Sequence, residues 1–162
     1  MEHARNTGYP VPIVHEVRED ALVLERIHGP TMLADLRRRP WRLQEHARLL
    51  AGLHRRLHTI PYEDAALLHL DLHPENVLLA PAGPVVIDWT NARAGEPALD
   101  VALSWVIART SGGLPGRVFA RAFLGAFERE RILPALPEAA ALRIADPNVT
   151  ERERDAVRRL LR

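Results

Sequence analysis

The chain has 162 residues, 47% of them hydrophobic and 27% charged, with a formal net charge of +1. That length favours a single domain burying about 68–70% of its unfolded surface, and the near-neutral balance argues against a nucleic-acid partner or an anionic membrane surface. There is no Cys, and all 22 basic residues are Arg, which excludes disulfides, zinc–thiolate sites and any step needing a Lys of this chain.

The first twelve residues carry no apolar stretch of the kind that marks a secretory leader. No apolar run approaches the ~18 residues of a membrane span. A cytoplasmic protein is the expectation. Val11, Ile13 and Val17 stand among polar residues, and Ala21–Ile27 is a second β-rich run. Residues 12–27 are therefore predicted as two strands around a turn at Glu19-Asp20. Gly29-Pro30 ends this unit. Thr31 is placed to cap a short helix reaching Arg38. Pro40-Trp41 opens a longer helix to about His58, with Leu43, Ala47, Leu50, Leu53 and Leu57 on one face.

Leu67–Leu70, Val77–Leu79 and Val85–Ile87 are short apolar runs, the last two separated by a turn over Ala80–Pro84. Helices are predicted over Ala98–Ala108, Pro115–Arg131, Pro134–Ile144 and Thr150–Leu161. The last begins with a capping-box pair, Thr150 and Glu153. The architecture expected is α+β, a small β-rich head on a mostly helical body.

Chemistry concentrates between the short strands, in His69-Leu70-Asp71-Leu72-His73-Pro74-Glu75-Asn76 and then Asp88-Trp89. Rigid strand ends let a loop present side chains in fixed positions. Phosphoryl transfer asks for a carboxylate near the acceptor hydroxyl and for oxygen ligands to Mg²⁺. Asp71, Asn76 five residues later, and Asp88 after the next strand supply those groups.

The pattern His-x-Asp-x-x-x-x-Asn followed by Val-Ile-Asp-Trp resembles the aminoglycoside phosphotransferase and choline kinase-like family, which has the protein-kinase-like fold. Leu24–Gly29 resembles its hinge, Leu53–His58 the helix before the catalytic loop, and Gly95–Asp100 the segment after the metal-binding Asp. The resemblance implies a helical C-lobe over residues 31–162 and, over residues 1–30, a remnant β-hairpin of the N-lobe with the hinge. It implies transfer of the γ-phosphate of ATP or GTP to a hydroxyl of a small molecule. Asp71 would be the base or orient that hydroxyl, and His73, where protein kinases carry a Lys, would approach the transferred phosphate. Asn76 and Asp88 would hold Mg²⁺. The backbone from Glu25 to Ile27 would meet the adenine, with Leu78 and Ile87 as an apolar floor. His69 would brace the loop, and Asp100 would bond its backbone from the start of a helix.

The chain departs from the family at its N-terminus. Only Gly8 and Gly29 occur in the first 30 residues, so there is no glycine loop, and there is no Lys to grip the phosphates. Three readings stand side by side: a fragment of a longer protein, a natural short form, and a non-catalytic pseudo-kinase that only binds. A sheet lacking its neighbours exposes a strand edge, which invites self-association.

Other features have plainer readings. His54 and His58 lie one helical turn apart, as a metal pair would, but no Glu stands between them, and structural roles are expected. Trp105 and the Phe119, Phe123, Phe127 series read as core. Trp89, Thr90, Asn91 and Arg93 are candidate neighbours of the acceptor. Glu128, Glu130 and Glu138 read as a solvated face.

Overall fold

The computed structural model describes residues 1–161. A one-turn helix α1 (Glu2–Asn6) leads into an antiparallel hairpin of β1 (Val14–Val17) and β2 (Leu22–Leu24). The turn falls on Glu19-Asp20, as predicted. The hairpin stands clear of the core, with Val17 69% and Leu22 55% exposed.

The chain then drops onto the body through Gly29-Pro30. The Leu79 N–H donates to the Pro30 carbonyl at 2.9 Å. A Cβ on Gly29 would overlap the Leu79 carbonyl oxygen, so only glycine permits this crossing. Backbone atoms cannot swing aside as a side chain can. Gly29→Ala is expected to lower unfolding free energy by about 1–3 kcal/mol, the range for overpacking. Urea denaturation checks this, and an unchanged midpoint would mean the crossing is looser than drawn.

Thr31 Oγ1 accepts from the Ala34 N–H at 3.0 Å and caps α2 (Met32–Arg38). A 3₁₀ turn over Pro40–Arg42 opens into α3 (Leu43–Leu57), which buries Ala47, Leu50, Leu53 and Leu57 and leaves Arg48, Arg55 and Arg56 outside. The strands β3 (Pro61–Tyr62), β4 (Ala65–Leu68) and β7 (Arg93–Gly95) form a small antiparallel sheet in the order β3-β4-β7. Between β4 and β7 lies the hairpin of β5 (Val77–Ala80) and β6 (Gly83–Val86). Its turn is only Pro81-Ala82, because Ala80 pairs with Gly83.

Helix α4 (Pro97–Ser111) is the centre of the body. It buries residues on nearly every face and packs against α5 (Gly113–Leu124), α7 (Leu136–Ala145) and α8 (Glu151–Leu160). The predicted helix over Pro115–Arg131 is two helices. It stops at Gly125, and α6 (Arg129–Ile132) follows after a turn. The aromatic spacing hides this break, because Phe127 packs edge-on against Phe123, 5.2 Å between centroids, from outside the helix. The Thr150–Glu153 capping box forms as predicted, with both reciprocal bonds present. The fold is α+β with small antiparallel sheets, and among the described residues no helix is long and apolar enough to cross a membrane.

Candidate active site

Asp100, in the first turn of α4, organises the loop between β4 and β5. Its Oδ1 accepts the Leu70 N–H at 2.8 Å, and its Oδ2 accepts the His69 N–H at 3.1 Å. These bonds hold Leu70 in the left-handed region, φ 59°, which is unfavourable for a residue with a branched side chain. Asp100 is fully buried. Burial works against its charge, but the His54 and His58 imidazoles facing it, the second in hydrogen-bond contact, outweigh that and hold its carboxyl well below the usual range.

His69 sits inside the loop. Its Nδ1 accepts the Asp71 N–H at 3.3 Å, so the proton is on Nε2, which donates to the Ile87 carbonyl at 3.1 Å. Its ring meets Trp89 edge-on at 4.8 Å, and the Trp89 indole N–H donates to the Val86 carbonyl at 3.0 Å. His69 thus ties the start of the loop to the segment carrying Asp88.

The loop presents Asp71, His73 and Asn76 together. Asn76 Nδ2 donates to the Asp71 carbonyl at 2.8 Å and to Asp71 Oδ2 at 2.9 Å. His73 Nε2 lies 3.4 Å from Asp71 Oδ1. Burial raises the Asp71 pKa, but the hydrogen bond and charge of His73, with smaller help from His69 and Asn76, bring it below the ordinary value. Asp71 is therefore a carboxylate at neutral pH. The Asn76 amide nitrogen is thus turned onto Asp71. The Ile87 N–H donates to the Asn76 carbonyl at 3.0 Å, which sets Asn76 beside the strand end before Asp88.

Asp88 also has positive φ, 62°, and its exposed carboxylate accepts the Thr90 hydroxyl at 3.0 Å. Asp71 and Asp88 line one cavity of about 490 Å³, together with Thr90, Asn91, Arg93 and Asp146. A second cavity of about 650 Å³ borders His73 and Glu75 and is walled by Leu33, Leu36, Ile107 and Phe119. Glu128, Glu130 and Glu138 are exposed and line neither cavity.

At the hinge-like segment, the Glu25 N–H donates to the Ile13 carbonyl at 2.8 Å, and Glu25 Oε2 accepts the Ile13 N–H at 3.1 Å. Glu25 can therefore offer a ligand its carbonyl but not its amide. Ile27, Leu78 and Ile87 are half-buried, and Leu78 bridges to Thr31.

Sequence reasoning missed what lies under Asp100. His58 Nε2 donates to Asp100 Oδ2 at 2.9 Å, and Ser104 Oγ donates to the Leu72 carbonyl at 2.6 Å. The helical His54/His58 spacing was the available signal, but their carboxylate partner is 42 positions from His58.

The buried histidines give a pH dependence. Burial lowers the pKa of His54 and of His69 below the ordinary 6.5. Below that pH the unfolded chain binds protons that the folded chain refuses, so stability is complete above it and is lost as pH falls. From pH 7.5 to 5.5 the unfolding free energy is therefore expected to drop. Denaturant titrations at both pH values measure it, and a flat result would show that one of the two rings is charged in the folded chain.

A carboxylate braced by an Asn, a second carboxylate lining the same cavity, and a buried Asp tying down the loop stand together here. The chain belongs to the phosphotransferase enzyme family, whose model matches residues 14–142. It is similar to a probable serine/threonine-protein kinase BUD32 homolog of Archaeoglobus fulgidus, 34% identical over 90 residues that make up 53% of this chain and 38% of that protein. It is also similar to the thiamine kinases of Salmonella paratyphi B and Salmonella newport, 46% identical over 41 residues, 25% of this chain and 15% of each of theirs. The chain thus spans less than two-fifths of the length of these curated relatives.

Proposed function

We propose that this chain carries the catalytic and metal-binding half of a kinase that moves the γ-phosphate of ATP or GTP to a hydroxyl of a small molecule. The observation that carries this reading is the Asp71–Asn76 pair sitting beside the cavity that Asp71 shares with Asp88. Residues 31–162 are read as a C-lobe, and residues 1–30 as N-lobe strands with the hinge.

Asp71, held ionised, accepts a hydrogen bond from the acceptor hydroxyl and aims its oxygen at the γ-phosphorus. As the new O–P bond forms, the bond to the nucleoside diphosphate breaks, and the hydroxyl proton passes to Asp71 or onward to the phosphate. His73, beside Asp71, is placed to donate to the transferred group. Asn76 Oδ1 and the Asp88 carboxylate are hard oxygen donors and suit Mg²⁺. Bound there, the ion would neutralise phosphate charge. The Glu25 carbonyl and the Ile27 amide would meet the adenine, over Leu78 and Ile87.

The acceptor is read as a small alcohol because the space beside Asp71 is a cavity of about 490 Å³. Transfer of labelled γ-phosphate from ATP to a panel of alcohols, amino sugars and thiamine among them, tests this. Label appearing only on protein would replace the small molecule by a polypeptide acceptor.

A second reading is a pseudo-kinase that binds without transfer. Nucleotide binding with no labelled product on any acceptor would select it. We also propose that the β1–β2 hairpin, with Val17 and Leu22 exposed, pairs edge to edge with a second copy. Sedimentation equilibrium showing a monomer at every concentration would remove that proposal.

A further inference from the structure

Beneath the loop, on the side away from the Asp71 cavity, three ligand-type atoms converge. One ligand atom from each of His54, His58 and Asp100 lies within 4.8 Å of the other two. The first comes from the last turn of α3, the second from its C-cap and the third from α4. His58 Nε2 is 2.9 Å from Asp100 Oδ2, and His54 Nδ1 is 3.6 Å from it.

The hydrogen bonds fix the state of His54. The Ser104 hydroxyl has one hydrogen and gives it to the Leu72 carbonyl at 2.6 Å. Its oxygen then accepts from His54 Nε2 at 3.1 Å, so Nε2 carries the ring proton and Nδ1 is bare. Nδ1 is buried, has no hydrogen-bond partner and faces a carboxylate oxygen. A lone pair and a carboxylate oxygen facing each other repel unless positive charge stands between them. A second proton on His54 would supply that charge, but burial opposes an imidazolium here. A metal cation would supply it without charging the ring.

We propose that His54 Nδ1, His58 Nε2 and Asp100 Oδ2 form a binding site for a divalent transition metal, Zn²⁺ foremost. Two imidazole nitrogens and one carboxylate oxygen are a zinc donor set, whereas Mg²⁺ requires oxygen ligands. Zinc bonds of about 2.0–2.1 Å in a tetrahedron place ligand atoms roughly 3.3–3.4 Å apart. The observed 2.9 and 3.6 Å bracket that spacing. His58, with 9% of its side chain exposed, gives the entry path and the side from which a water completes the set. On binding, the His58 proton moves to its other nitrogen, and Asp100 keeps its bonds to the His69 and Leu70 amides. The ion would therefore clamp α3 to α4 under the loop, away from Asn76 and Asp88.

The test is titration of the 162-residue chain with Co²⁺, which reports four-coordinate geometry by strong visible absorption. One equivalent is expected to bind, to be displaced by Zn²⁺, and to raise the melting temperature. His58→Gln keeps a donor to Asp100 but removes the ligand, and should weaken Co²⁺ binding at least ~100-fold, the upper end of what second-shell changes alone cause. Asp88→Ala should leave the absorption unchanged. No strong band, equal binding by His58→Gln, or loss in Asp88→Ala would each overturn the proposal. X-ray absorption of the unaltered chain loaded with Zn²⁺ gives a readout independent of variants: two imidazoles are expected, and one or none would overturn it.

Discussion

Asp71→Asn is expected to reduce phosphoryl transfer by about 10²–10⁴-fold, in any form of the protein with measurable activity. The substitution keeps the shape of the side chain, and an amide can still accept one hydrogen bond. It removes the negative charge that draws the acceptor proton, and it presents an NH₂ where the hydroxyl would donate. The Asn76 amide would then face either an oxygen or another NH₂, so the loop keeps one of its two arrangements. Substrate affinity should change much less than turnover, because the lost interaction strengthens as the proton leaves. Steady-state kinetics separates the two. An equal loss in KM with unchanged kcat would assign Asp71 to binding alone.

Asp100→Ala is expected to lower unfolding free energy by about 3–5 kcal/mol, the range for removing one partner of a buried charged network. The variant strands the Leu70 and His69 amides, which Asp100 satisfies at 2.8 and 3.1 Å. Buried donors left without an acceptor cost about 1–3 kcal/mol each. It also frees Leu70 from the conformation at φ 59° that the carboxylate enforces. The loop should then relax and carry Asp71 out of line, so any nucleotide-dependent signal should fall even where the chain stays folded. Chemical denaturation measures the first effect. A loss under 1 kcal/mol would show that the loop holds its shape without Asp100.

Much of this site is legible in the sequence because its parts are neighbours there. Asp71, His73 and Asn76 share one loop between short strands, and Asp88 follows the β5–β6 hairpin. The role of Asp100 as the anchor of that loop came only through family resemblance, since no spacing rule links it to Leu70. That His54 and His58 face Asp100, and that Ser104 backs His54, was not legible beyond the one-turn spacing of the two histidines. They meet through α3–α4 packing, and a helical repeat shows which face is buried but not what it meets. The strands β3 and β7 have two and three residues, too few for an alternating pattern to register. The break at Gly125 was masked because Phe127 keeps the aromatic spacing after the helix has ended. A third acidic residue lining the cavity of Asp71 and Asp88, Asp146, sits just past the end of α7, where a sequence offers only an ordinary turn signal.

Calorimetric titration of the chain with ATP, with and without Mg²⁺, tests the central claim most directly. Mg²⁺-dependent binding that Asp88→Ala abolishes is the predicted result. A folded chain that binds no ATP up to millimolar concentration, or binds it equally without Mg²⁺ and in Asp88→Ala, would contradict the account.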